Sequence, residues 1–300
     1  MFVFGVNKKV INFFENALQN SNLAHAYCFL GANYLGKEAT ARNLAAKLLN
    51  TEVEKLEINP DFCKVERNFD DKSGKLKKEI GVSQIRELRQ RLANFSWSNG
   101  YKVIIIREAE LLSEEASNAF LKILEEPNSK TLYFLIAQSE DSLLPTIKSR
   151  CQIFNFNAWP EEEIRNFLQT NGAAKEKLER MCVLSAGRIR LAQLLLDEDF
   201  YRDYSQKWED WENLYNSSVS ERLKWIDKSL NAKKEEGGLP ELLSELEIWT
   251  MAARANLILN ANVGKEGGTT KVMKELADLK TNLLQNVNPR LALEKLALNI

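Results

Sequence analysis

Ala26-Tyr27-Cys28-Phe29-Leu30-Gly31-Ala32-Asn33-Tyr34-Leu35-Gly36-Lys37-Glu38 is the stretch on which the fold turns. Its first five residues are continuously apolar, the pattern of a strand covered on both faces. Two glycines then bracket four residues, and a lysine follows, which is the spacing of a phosphate-binding loop. In such a loop the backbone N–H groups turn inward around phosphate. The N-terminus of the next helix adds positive potential, and the lysine reaches the outer phosphates. The closing position should offer a hydroxyl to Mg²⁺, and here it holds Glu38. A carboxylate there lies among like-charged phosphate oxygens, although carboxylates also ligate Mg²⁺. Gly31 and Gly36 taken alone fit a plain tight turn equally well, so the rest of the chain has to decide.

Outward from this loop, apolar runs alternate with helical patterns. A helix is expected over 37–50, with Leu44, Ala45, Leu48 and Leu49 on one side, and another over 83–95, with Ile85, Leu88, Leu92 and Phe95 at helical spacing. Residues 103–106 read as a strand. Ser113 is placed to cap a helix whose first turn carries Glu114 and Glu115. That helix turns Ala116, Phe120, Ile123 and Leu124 inward and should stop before Pro127. Residues 132–137 and 153–156 read as two further strands. Strands alternating with helices predict a parallel α/β sheet.

A phosphate-loop ATPase needs an acid at the end of a second strand to hold its metal. After 103–106 that place holds Arg107, and a cation opposes Mg²⁺. Glu108 stands where a water-activating glutamate would be, but a base without a positioned metal and γ-phosphate has little to act on. Intrinsic ATP hydrolysis is therefore not expected, while weak nucleotide binding through Gly36 and Lys37 stays open. The competing reading is a divergent ATPase that uses Glu38 for its metal.

Strand signals cease after Asn157. Pro160 and three glutamates open a helical region, a helix–Gly187–helix pattern ends near Leu196, and 200–300 reads as helical throughout. The breaks expected there are Gly237-Gly238-Leu239-Pro240 and the polar stretch from Asn262 to Thr270. Three parts result: an α/β domain (1–157), a small helical domain (158–199) and an all-helical domain (200–300). The 300 residues are 44% hydrophobic, ample for a core, and the net charge is −1, so no global positive field marks a nucleic-acid binder. No apolar run nears the roughly 20 residues that cross a bilayer. The opening MFVFGVNKKVINFF lacks the order of a signal peptide, and a cytoplasmic protein is expected. Cys28, Cys63, Cys151 and Cys182 stand far apart, which indicates neither a disulfide framework nor a zinc ribbon. The one histidine, His25, beside a buried strand, is expected to be structural with its polar atoms satisfied.

Several segments carry a resemblance. His25-Ala-Tyr-Cys-Phe-Leu-Gly31 resembles the HAYLF-G opening of bacterial DNA polymerase III clamp-loader subunits. Residues 117–127, SNAFLKILEEP, resemble their NALLKTLEEP segment, and Ser149-Arg150-Cys151 resembles their SRC motif. The tail from Asn288 to Glu294 looks like their C-terminal collar helix. The matches run in order over nearly the whole chain. The departures at Glu38 and Arg107 make it resemble the non-hydrolysing delta-prime kind more than gamma/tau. The resemblance implies a P-loop NTPase-like AAA+ α/β domain, a helical lid and a helical collar that assembles with other subunits. It implies that Arg150 acts in trans as an arginine finger on ATP–Mg²⁺ held by a neighbour. A guanidinium suits that role, being always charged and forked. A lone arginine is otherwise most often a surface ion-pair partner. Arg190, in Ser185-Ala-Gly-Arg188-Ile-Arg190, stands where the family has a sensor arginine, and an internal ion pair is the equal alternative. Cys151 reads as a small buried residue rather than a reactive thiol.

The implied partners are gamma/tau and delta subunits, the sliding clamp and primed DNA. Many family members carry a four-cysteine zinc module after the phosphate-loop helix. That window here offers Cys63 and no histidine, so neither zinc nor any tightly held cofactor is expected. From Lys64 to Arg91 nine Lys/Arg face five Asp/Glu. Lys75, Lys77, Lys78, Arg86, Arg89 and Lys102 are the candidates for sequence-independent phosphate contacts. For any one of them a solvated charged face is the ordinary reading. Trp208, Trp211, Trp225 and Trp249, at helical spacing, are ordinarily core; the resemblance alone makes that region a collar.

Overall fold

The computed structural model describes residues 7–20, 22–70, 76–93, 100–126, 130–236, 239–261, 266–285 and 287–300. It divides into two compact units. The first is Met1–Trp159 with Arg188–Leu191, and the second is Pro160–Gly187 with Ala192–Ile300.

The first unit runs α1 (Lys8–Gln19), β1 (Ala26–Leu30), α2 (Lys37–Leu48), β2 (Phe62–Val65), α3 (Val82–Ala93), β3 (Lys102–Ile106), α4 (Glu114–Glu125), β4 (Thr131–Ala137), α5 (Pro145–Lys148) and β5 (Gln152–Asn155). The strands form one sheet in the order β2-β3-β4-β1-β5, every pair parallel. Four strands lie where the apolar runs predicted them. The sequence reading assigned neither β2 nor α1. β2 is four residues long, sits at the sheet edge and carries Lys64 in its middle, which breaks the apolar run.

Alternation along the strands divides the core into two layers. Ala26, Cys28, Leu30, Ile104, Ile106, Tyr133 and Leu135 face Ile85, Leu88 and Leu92 of α3 and Phe120 and Leu124 of α4. Tyr27, Phe29, Val103, Ile105 and Phe134 face Phe14 of α1 and Ala41, Leu44 and Ala45 of α2. A sheet covered on both faces is why these strands read as unbroken apolar runs. Ser113 caps α4 as expected, accepting from the Ala116 N–H at 3.1 Å. Pro127, the expected stop for α4, and Phe95 lie outside the described residues.

The second unit is helical: α6 (Glu161–Thr170), α7 (Lys175–Ser185), the second half of α8 (Ile189–Leu194), α9 (Glu198–Asn216), α10 (Val219–Glu236), α11 (Leu239–Ala261), α12 (Glu266–Leu284) and α13 (Pro289–Asn299). Leu239-Pro240 opens α11 and 266–270 opens α12, so both expected breaks are shorter than the composition implied. Trp208, Trp211 and Trp249 are fully buried, the last two 5.7 Å apart between ring centroids. Arg222 is buried and donates to four carbonyls, Leu214 (3.0 Å), Tyr215 (2.8 Å), Ala297 (3.1 Å) and Ile300 (2.6 Å), joining the C-terminal ends of α9 and α13.

Candidate functional site

β1 and β3 end within two residues of each other, because Leu30 pairs with Ala137 and Ile106 with Leu135 of the β4 strand between them. The glycine loop and Arg107 therefore emerge at the same carboxyl edge, where open α/β sheets place their ligand sites. Gly31 has φ +142°, and a Cβ there would meet the Phe156 carbonyl oxygen at 2.4 Å, so only glycine fits. Gly36 caps α2 at φ +90°, also glycine territory.

Lys37, the first residue of α2, is 6% exposed. Its ammonium donates to the carbonyls of Gly31, Ala32 (3.1 Å) and Ala137 (2.9 Å), which uses all three of its hydrogens. Burial brings its pKa down to about 8. Glu38 faces Arg107, with Oε2 3.1 Å from Nε. Arg107 Nη1 also donates to Glu66 Oε2 at 2.7 Å, and Lys64 lies 2.8 Å from the same carboxylate. Burial raises the Glu66 pKa, but the hydrogen bonds and charges of Lys64 and Arg107 outweigh it and hold the group below the usual carboxylate range. Burial likewise works against the Arg107 charge, and Glu38, Glu66 and Glu108 more than restore it.

Glu108, at φ +49°, is gripped by both Nε (2.9 Å) and Nη2 (2.8 Å) of Arg67. Two residues on, Glu110 buries its Oε2 with no hydrogen-bond partner among the described residues, and burial raises its pKa. The donor set does not fit a magnesium nucleotide. The carboxylate at the hydroxyl position is neutralised by a guanidinium at the metal-acid position, and the base position is held in a forked ion pair. Glu66, Arg67 and Glu110 were missed in the sequence. The first two follow β2, so recognising that edge strand would have placed them beside Arg107.

Arg150 lies elsewhere. β5 pairs with β1 so that Gln152 is opposite Tyr27, which puts Arg150 level with His25 at the amino edge of the sheet. Six residues separate that level from Gly31, about 20 Å at roughly 3.3 Å per residue. Arg150 donates to Thr146 O (3.0 Å), Ser149 Oγ (3.3 Å) and Glu125 Oε1 (2.7 Å). Ser149 Oγ also donates to Thr146 O at 3.0 Å. Cys151 packs against the core layer under α3 and α4, and burial pushes its thiol up to about 12. Arg190, which belongs to the first unit, donates its backbone N–H to Tyr34 O of the glycine loop at 3.0 Å. The expectation for His25 is corrected: its Nε2 is buried with no hydrogen-bond partner among the described residues.

Of the candidate phosphate contacts, Lys77, Lys78, Arg86 and Arg89 are exposed. Arg86 and Arg89, three apart, share a face of α3. Lys102 instead donates to the carbonyls of Arg91 (3.2 Å) and Leu92 (3.4 Å) near the end of α3, and Lys75 lies outside the described residues. No cluster of three or more metal-ligating His, Cys, Asp or Glu side chains occurs among the described residues.

A five-stranded parallel sheet with a glycine loop after its interior strand β1 and a helical second unit defines an AAA+-like P-loop protein. The chain has the fold of a DNA polymerase III gamma subunit-related protein from Thermotoga maritima, with TM-score 0.55 at 18% identity over 95% of this chain and 97% of that one. Residues 6–160 match the family described as "DNA polymerase III, delta subunit", and the chain belongs to that family of clamp-loader subunits related to gamma and tau. It is 40% identical over 124 residues to "DNA polymerase III subunit delta'" of Haemophilus influenzae, across 41% of this chain and 38% of that one. To the subunit of the same name from Escherichia coli it is 29% identical over 206 residues, across 61% of this chain and 62% of that one. The matched region thus spans from about two-fifths to three-fifths of these relatives' lengths. No described helix is long and apolar enough to cross a membrane.

Proposed function

We propose that this chain is a non-hydrolysing, delta-prime-type subunit of a cytoplasmic clamp loader. In this reading it lends Arg150 to ATP–Mg²⁺ held by a neighbouring gamma/tau subunit. Together with a delta subunit the assembly opens the sliding clamp and places it on primed DNA. The chain itself holds no nucleotide tightly and no zinc. The observation that carries the reading is the guanidinium of Arg107 lying between Glu38 and Glu66, where a working ATPase keeps a carboxylate for its metal.

The position of Arg150 supports the trans role. An arginine about 20 Å along the sheet from its own glycine loop cannot reach phosphates there, since its side chain extends only about 7 Å. It does face outward with 34% of its side chain exposed. A finger of this kind is worth about 10³–10⁵ in rate to the site it completes. Arg150→Ala, in an assembly where Arg150 is the only intact trans arginine, is expected to assemble normally and to slow ATP turnover at least about 10³-fold. Undiminished turnover removes the trans role.

The exposed cations of the first unit serve DNA in this reading. Reversing Arg86 and Arg89 to glutamate is expected to weaken binding of the assembly to primed DNA equally on unrelated sequences. It should also reduce the salt slope of log K by about 1 per lost phosphate contact. An unchanged slope in a salt titration assigns them to a solvated face.

A further inference from the structure

We propose that Glu125, the last residue of α4, is the positioning residue for Arg150, fixing the guanidinium so that its remaining donors are available to a ligand. The inference rests on Arg150 acting in trans.

A guanidinium has five N–H donors. Nη1 uses both of its hydrogens, on Thr146 O at 3.0 Å and Ser149 Oγ at 3.3 Å. Nη2 gives one hydrogen to Glu125 Oε1 at 2.7 Å, the distance of a charge-assisted bond. Among the described residues the Nε hydrogen and one Nη2 hydrogen have no partner. They stand on neighbouring nitrogens of one planar, always charged group, which suits donation to phosphoryl oxygens.

Each support is itself fixed. Thr146 lies in α5, and Ser149 Oγ is tied to Thr146 O at 3.0 Å. The Arg150 N–H donates to Ile147 O at 3.1 Å, which closes the turn below the side chain. Glu125 ends a helix whose inner face, Ala116, Phe120, Ile123 and Leu124, is buried in the core layer. Two elements, α4 and α5, therefore hold one guanidinium from two sides. The Glu125 carboxylate is 49% exposed, so the pair adds little to stability, and its consequence lies in orientation. Without it the guanidinium keeps only the Nη1 contacts, about which the group can swing. Misplacement of a reacting group by about 1 Å can cost up to about 10²-fold in rate.

The test is a double-mutant cycle in the reconstituted assembly, with Arg150 as the only intact trans arginine and ATP hydrolysis resolved into kcat and KM. Glu125→Ala is expected to lower kcat about tenfold with KM changed by less than about twofold. Glu125→Gln, which keeps an acceptor oxygen and the shape, should lose about threefold and carries the test if the alanine variant fails to assemble. In the Arg150→Ala background Glu125→Ala should have no further effect. If Arg150→Ala slows hydrolysis while both Glu125 variants stay within about twofold of the parent, the positioning role is overturned and the trans role stands. Additive losses in the double variant also overturn it. If Arg150→Ala itself changes nothing, the trans role falls and the positioning role with it.

Discussion

Arg107 shows how one substitution rewrites a site. A carboxylate at the end of β3 would add negative charge beside Glu38, and that charge would need a metal. A guanidinium turns the same corner into an internal ion-pair web with Glu38, Glu66 and, through Lys64, the edge strand. Both acids are more than 30% exposed, so the web is screened and each link is weak. Arg107→Ala is expected to cost about 1 kcal/mol in denaturant unfolding. It should also change the acid limb of the stability profile. The folded pKa of Glu66 is depressed, so its contribution is present above the unfolded carboxylate range and is lost as pH falls through the folded value. The variant should lose less stability than the parent over that acid interval. Lys37 has the opposite sign on the alkaline side. Its folded pKa of about 8 lies below the ordinary 10.5, so the unfolded chain binds more protons between those values and stability rises with pH there. Lys37→Met should flatten that rise, as followed by urea unfolding at pH 8 and pH 10.

At the scale of elements, Arg222 ties the ends of two helices together by hydrogen bonds beside the apolar core of the second unit. Truncating it strips partners from carbonyls at the ends of two helices. Arg222→Ala is therefore expected to destabilise by about 3 kcal/mol, read from the unfolding midpoint. Ser113→Ala, which removes only the α4 cap, should cost about 1 kcal/mol. What the sequence disclosed follows the same physics. β1, β3 and β4 are buried on both faces and announce themselves as apolar runs. β2 lies at the edge with Lys64 in it, and no periodicity reveals four such residues. Missing β2 hid Glu66 and Arg67, which belong to the site only because the parallel register brings them beside Arg107 and Glu108. The Glu125–Arg150 contact was equally hidden, since the partners are 25 residues apart and meet only when α4 and α5 pack. Gly31, Gly36, Lys37 and Arg107 could be read because each occupies a fixed step of a motif.

At the scale of the molecule, the two edges of one parallel sheet carry two separate devices. The carboxyl edge holds a glycine loop whose lysine donates to three carbonyls, with Arg107 paired to Glu38 beside it. The amino edge presents Arg150, supported from two helices. In the proposed function that separation along the strands is the reason the recipient of Arg150 is a second subunit. In the proposed function the carboxyl-edge site performs no chemistry of its own. The most direct measurement is steady-state ATP hydrolysis by the purified chain alone, with and without Mg²⁺. We expect no magnesium-dependent turnover above background, and no difference between the parent and Lys37→Ala. Magnesium-dependent turnover at about 1 s⁻¹ or faster that Lys37→Ala abolishes would contradict the account.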